Sequence, residues 1–240
     1  MKTLIIANWK LNPSTQKEAK KLFELVKNGI KKAKNVEVII CPPFVYLALL
    51  KGLTLGAQNV FYKEKGAFTG EVSPLMLKDL GVKYVIIGHL EARKYFNETD
   101  EIINKKIKSV LLVRLKPIFC VGENEREEKQ NTLEKQITEG LKNISINQAK
   151  NIIIAYEPVF AIGTGRNCSI DETMNSILFI KKIISNLYNR ELANKIKILY
   201  GGSVNSKNSG LYLREAGING LLVGGASLDA NDFIKIVKSV

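Results

Sequence analysis

Residues 83–96 read KYVIIGHLEARKYF. From Tyr84 to Ile87 no position is polar, so this segment is not a strand with one face in water. It reads as a strand covered on both sides, the kind found in a parallel sheet flanked by helices. Gly88 and His89 then break the run, and a short helix follows. His89 is the only histidine in the chain.

The same grammar recurs. The runs TLIIANW (3–9), VEVIIC (36–41), LTLGAQ (53–58), KYVIIG (83–88), PIFCVG (117–122), NIIIAY (151–156), KILY (197–200) and GLLVGG (220–225) make eight. Amphipathic stretches lie between them: TQKEAKKLFELVKNGI (15–30), DEIINKKIKSVLLV (100–113), TLEKQITEGLKNI (132–144) and MNSILFIKKIISNLY (174–188). Ser14 or Thr15 caps the first helix, with Glu18 early in its first turn, and Thr99-Asp100-Glu101 supplies another acid-rich start. Eight strand-helix units in 240 residues predict a closed (β/α)8 barrel, an α/β fold, rather than an open doubly wound sheet. No GxGxxG follows the first run, where a dinucleotide-binding fold most often carries it. No linker-like tract divides the chain, so residues 1–240 are expected to form a single domain.

Composition narrows the function classes. At 45% hydrophobic and 25% charged residues the chain has the make-up of a soluble globular protein. The apolar run Leu4–Ala7 is too short for a signal-peptide core, and no stretch reaches the length of a membrane span. A cytoplasmic protein is expected. Cys41, Cys120 and Cys168 are odd in number, widely spaced and served by one histidine, which argues against a disulfide framework or a metal site. They read as small packed residues. The net charge of +13 fits an anionic substrate or nucleic acid. Because the lysines are spread over helical segments and not interleaved with aromatics, no nucleic-acid partner is expected.

In a barrel of this kind the chemistry sits at the C-terminal ends of the strands. The residues there are Asn8-Trp9-Lys10, Gln58-Asn59, Gly88-His89, Glu157-Pro158, Gly201-Gly202-Ser203 and Gly224-Gly225. Asn8, Lys10, His89 and Glu157 therefore share one rim and offer a positioning amide, a cation, an electrophile and a base. The glycine-rich turns AIGTG (161–165), YGGS (200–203) and VGGA (223–226) let backbone N–H groups approach an anion, and the last two follow strands seven and eight, the usual phosphate position. A small phosphorylated carbonyl compound fits this set. The glutamate removes a proton beside the carbonyl, and imidazole and ammonium stabilise the enediolate oxygens without metal or cofactor. An imidazole at the positive end of the helix after Gly88 stays neutral and can donate a hydrogen bond. Two other readings stand beside this one. Lys10 could form a Schiff base, as in an aldolase, or the basic surface of a catalytically weakened barrel could bind an acidic partner.

ANWKLN (7–12), GAFTGEVSP (66–74), GHLEARKYF (88–96), AYEPVFAIGTG (155–165), YGGSV (200–204) and LLVGGASL (221–228) together resemble the triosephosphate isomerase family, in its order and over nearly the full chain. The resemblance implies a TIM barrel that interconverts dihydroxyacetone phosphate and D-glyceraldehyde 3-phosphate, in glycolysis and gluconeogenesis, with no cofactor and no metal. It implies Glu157 as base, His89 as the electrophile shuttling protons between the enediolate oxygens, and Lys10 as electrostatic stabiliser beside Asn8. Gly163 in a closing lid, Ser203, Gly224 and Gly225 would bind phosphate, with Glu91 in support. The loop 66–71, with Thr69 near its tip, resembles an interdigitating dimer loop, so a homodimer is implied.

This chain departs from the family in three places. GHLEAR stands where GHSERR is usual, so Leu90 replaces a serine that contacts the glutamate when the lid is open, and Ala92 replaces an arginine. A less firmly parked Glu157 and a weaker charge contact near the dimer loop are expected. At the lid hinge Phe160 stands in place of tryptophan, which keeps apolar packing but lacks the indole donor.

Overall fold

The computed structural model describes residues 2–123, 128–158 and 168–240. Its first half runs β1 (Thr3–Asn8), α1 (Gln16–Gly29), β2 (Val36–Cys41), a 3-10 helix (Phe44–Leu49), β3 (Thr54–Ala57), α2 (Pro74–Asp79) and β4 (Tyr84–Ile87). Next come α3 (Leu90–Phe96), α4 (Asp100–Leu112), β5 (Lys116–Val121), α5 (Lys129–Gly140), α6 (Ile146–Ala149) and β6 (Ile153–Tyr156). The last part holds α7 (Ile170–Leu187), α8 (Arg190–Lys195), β7 (Lys197–Tyr200), α9 (Ser209–Glu215), β8 (Gly220–Val223), a second 3-10 helix (Gly225–Leu228) and α10 (Ala230–Lys238).

The eight strands are parallel and close in sequence order, β1 pairing with both β2 and β8. Seven fall within the apolar runs read from sequence, and β5 begins one residue ahead of its run, at Lys116. The helices match less closely at their ends. The segment expected over 132–144 is α5, which starts at Lys129 and stops at Gly140.

Alternation along each strand builds two cores. Leu4 and Ile6 point into the barrel with Ile39, Ile86, Ile118, Ile153 and Leu199, a cluster made only of strand residues. Ile5 and Ala7 face outward and pack with Phe23, Ile103 and Ile107 from the surrounding helices. Both faces of each strand are thus dry, which is why the runs lack polar alternation. The seam where β8 meets β1 depends on one small residue. A Cβ at Gly220 would lie 1.9 Å from the Leu4 carbonyl oxygen, so only glycine lets the last strand close on the first.

Caps fix the helix starts. Thr15, not Ser14, is the N-cap of α1: its hydroxyl accepts the Glu18 N–H at 3.2 Å while the Glu18 carboxylate accepts the Thr15 N–H at 3.2 Å. Thr99 caps α4 by accepting the Ile102 N–H at 3.3 Å, ahead of Asp100 and Glu101 in the first turn. Each such cap is worth about 1 kcal/mol. None of the described helices is long and apolar enough to cross a membrane.

Candidate active site

At the C-terminal ends of the strands a cavity of about 350 Å3 is lined by Asn8 and Lys10 after β1, His89 after β4, Glu157 after β6, Ser203 after β7, and Gly224 and Gly225 after β8. That volume lies in the range of small-ligand sites. Seven residues predicted from sequence therefore meet in one place. Gly163, Phe160 and the remainder of the AIGTG segment lie outside the described residues. Thr69 is exposed and does not line the cavity. Among the described residues no group of three or more His, Cys, Asp or Glu could hold a metal ion.

His89 is placed by the turn before it. Gly88 has φ +74, and a Cβ there would meet Ile103 Cδ1 at 3.0 Å and the Cys120 carbonyl at 3.2 Å. Glycine alone makes this left-handed step cheaply. His89 is then the N-cap of α3, and its Nδ1 accepts the Glu91 N–H at 3.2 Å. An acceptor nitrogen carries a lone pair, so the proton of the neutral ring sits on Nε2. The Glu91 carboxylate, 3.6 Å from Nδ1, is beyond hydrogen-bond reach. The protonated Nε2 faces Glu157 Oε1 at 3.3 Å.

Glu157 is only 2% exposed. Its other oxygen, Oε2, accepts the backbone N–H of Leu90 at 3.2 Å. This backbone donor is independent of the side chain at position 90, and the leucine side chain adds no hydrogen bond to it. Space for Glu157 comes from two glycines. A Cβ at Gly122 would lie 1.8 Å from the Glu157 carbonyl oxygen, and one at Gly201 would lie 2.9 Å from its Cγ. Beneath it, burial pushes the Cys120 thiol well above its usual value and the Glu157 carboxylate adds to the rise, so Cys120 stays a neutral thiol. Cys41 and Cys168 are also raised by burial, as packed residues are.

Lys10 adopts a left-handed backbone, φ +52, uncommon for a residue with a side chain. Three contacts hold it there. The Asn8 side-chain oxygen accepts the Lys10 N–H at 3.0 Å, so Asn8 shapes the turn as well as the cavity wall. Gln58 donates from Nε2 to the Lys10 carbonyl at 2.8 Å and to the Cys41 carbonyl at 2.9 Å. The ammonium meets Glu91 Oε1 at 2.7 Å. Gln58 is the functional contributor that motif reading left out of the site. Its position at the end of the third strand was visible, but its two acceptors come from other strands.

The tandem glycines divide by purpose. A Cβ at Gly202 would strike the Tyr200 hydroxyl at 2.2 Å, and one at Gly224 would lie 3.3 Å from Lys10 Cε. Together with Gly201, these have packing reasons independent of any ligand. At Gly225 nothing lies within 4 Å, so its lack of a side chain leaves open space at the cavity. Entropy cost alone therefore points to an anion only at Gly225.

Known proteins match this chain over nearly their whole length. The triosephosphate isomerase family model matches residues 3–240. The triosephosphate isomerase of Endomicrobium trichonymphae is 45% identical over 99% of this chain and 98% of its own. Those of Dictyoglomus thermophilum and Caldanaerobacter subterraneus are each 48% identical over 98% of both chains. With matches of this extent, and with residues from five of the six motifs lining one cavity, the chain belongs to the triosephosphate isomerase family.

Proposed function

We propose that Glu157, His89 and Lys10 divide the chemistry by which this chain interconverts dihydroxyacetone phosphate and D-glyceraldehyde 3-phosphate, the division known for its family. Glu157 removes a proton from the carbon beside the carbonyl, and the electron pair moves onto the carbonyl oxygen to give an enediolate. His89 gives its Nε2 proton to that oxygen and takes one from the neighbouring hydroxyl. Glu157 then returns its proton to the adjacent carbon, so atoms and charge balance without a redox cofactor. One observation carries the assignment: Nε2 of His89 and the carboxylate of Glu157 face each other at 3.3 Å on the wall of the same cavity as Lys10.

Lys10 adds positive charge where the oxyanion forms. An ammonium at about 4 Å is worth roughly 4 kcal/mol at an effective dielectric near 20. Its partial exposure and its pairing with Glu91 reduce that share. Glu91 serves as a positioning residue, since its carboxylate holds the Lys10 ammonium and its N–H fixes the tautomer of His89. Ser203, Gly224 and Gly225 line the phosphate end, with Gly163 assigned to it by motif alone. In a coupled isomerase assay Glu157→Asp is expected to lower kcat on the order of 10²–10⁴-fold. Unchanged turnover would overturn the assignment.

Residues 1–240 act as a single domain, the chain works as a homodimer and it resides in the cytoplasm. Support for the dimer comes from the loop 66–71, which is exposed along its length, with Thr69 near its tip and Gly66 and Gly70 at positive φ on either side. Exposed Val45, Phe68 and Met76 supply apolar surface of the kind an interface buries. Sedimentation equilibrium checks it: wild type at twice the chain mass, and Thr69→Glu shifted toward the monomer. A wild type that sediments as a monomer at micromolar concentration contradicts the dimer.

A further inference from the structure

A second cavity, of about 810 Å3, opens at the opposite end of the barrel from the catalytic rim. It is formed where β1 to β4 begin and where α1 and α2 end. Apolar side chains including Ile30, Val38, Leu50 and Leu55 make its floor. Around them stand five lysines, Lys2, Lys27, Lys31, Lys51 and Lys83, against one carboxylate, Glu37. Only Lys27 of the five makes an ion pair among the described residues, with Glu24 at 2.5 Å. Glu37, whose carboxylate accepts the Tyr84 hydroxyl at 2.8 Å, is the single negative charge among them, so five cations against one anion leave the rim an excess of four positive charges.

Two of these lysines have a local reason. Lys27 and Lys31 lie at the C-terminal end of α1, where cations complement the helix carbonyls. Lys2 and Lys83 immediately precede β1 and β4, while Lys51 follows Leu50, the C-cap of the 3-10 helix Phe44–Leu49, and none of the three makes an ion pair among the described residues. Like charges gathered at one cavity repel, so the free protein bears a cost that an anionic ligand removes. Gly52 permits the gathering: with φ +104 and no side chain, it admits Lys27, whose Cδ would lie 3.2 Å from a Cβ at that position.

We propose that this cavity binds a small oligophosphate that carries an apolar or aromatic body, the chemistry of a nucleoside polyphosphate. The lysine rim takes the phosphates and the aliphatic floor takes the body, a division that matches the usual make-up of ligand pockets. The site is separate from the catalytic cavity and shares no residue with it.

Isothermal titration of the intact protein with ATP, and separately with inorganic tripolyphosphate, both without divalent cations, tests this. ATP binds at low salt, more tightly than tripolyphosphate and without competing with the triose substrate. Lys51→Glu/Lys83→Glu weakens it at least about tenfold while isomerase turnover stays at the wild-type level. Both positions are exposed, and Lys51→Gln/Lys83→Gln gives a milder second variant with the same direction of change. Undetectable ATP binding, binding unaffected by either double variant, or inhibition competitive with the triose overturns the proposal. Equal affinity for ATP and tripolyphosphate removes the role of the apolar floor and overturns the stated ligand class.

Discussion

The side-chain amide of Gln58 lies 2.8 Å from the carbonyl oxygen of Lys10 and so bridges the third strand to the left-handed turn that presents the catalytic cation. The same nitrogen reaches the Cys41 carbonyl, so one residue ties three strand ends together. Gln58→Leu leaves both carbonyls without this donor, at a cost of about 1–3 kcal/mol. A fall in kcat of about 10–100-fold with a smaller change in KM is expected, because Lys10 is misplaced while the phosphate turns remain. Steady-state kinetics check this. A variant that loses stability but keeps kcat would show that Gln58 acts on the fold alone.

Gly224 and Gly225 are neighbours with different expected sensitivities. Alanine at 224 brings its Cβ within 3.3 Å of Lys10 Cε and should lower kcat by displacing the ammonium. Alanine at 225 meets nothing of the protein. Its effect should appear as a rise in KM of roughly tenfold, with Tm nearly unchanged, if the open space there is used by the substrate phosphate. Comparing kcat and KM for the two variants separates the roles.

Lys106 and Glu98 form a buried ion pair on α4 and the loop before it, and Asn59 completes the network by donating to Glu98 at 2.9 Å and accepting from Lys106 at 2.9 Å. Removing one partner strands the other charge, so Lys106→Met should cost about 3–5 kcal/mol. The double variant Lys106→Met/Glu98→Gln should recover a good part of that loss. Thermal melts of wild type, single and double variants give the answer, and a double variant no more stable than the single one would contradict it.

Glu123 yields a pH prediction. Burial raises its carboxyl above the usual range, while the Tyr156 hydroxyl and Lys129 pull it back down. Its pKa is higher in the folded than in the unfolded state. The proton is therefore held more tightly by the fold, and this contribution is greatest at low pH and lost as pH rises through the folded value. Glu123→Gln should accordingly gain Tm relative to wild type as pH rises from about 4 to about 8, with the smallest difference at the acid end. A gain that is constant with pH would exclude the carboxyl as its source.

The eight runs, a hydroxyl cap at Ser14 or Thr15, the acid-rich helix start at Thr99, and the shared rim of Asn8, Lys10, His89 and Glu157 were legible in the sequence, while the structure chose Thr15. Strand burial on both faces, hydroxyl caps and the order of strand ends are properties of neighbours along the chain, so they leave local patterns. The tertiary structure alone decided the rest. The Gln58 clamp spans 48 residues to Lys10, and the Asn59–Lys106 contact spans 47. Gly201, Gly202 and Gly224 owe their identities to Glu157, Tyr200 and Lys10, side chains that arrive from elsewhere in the barrel or stand above the turn itself. The lysine-rimmed cavity is likewise assembled from the starts of four strands. A hydrogen bond or a clash between such positions depends on where barrel closure sets them in space, and no spacing along the chain records that distance.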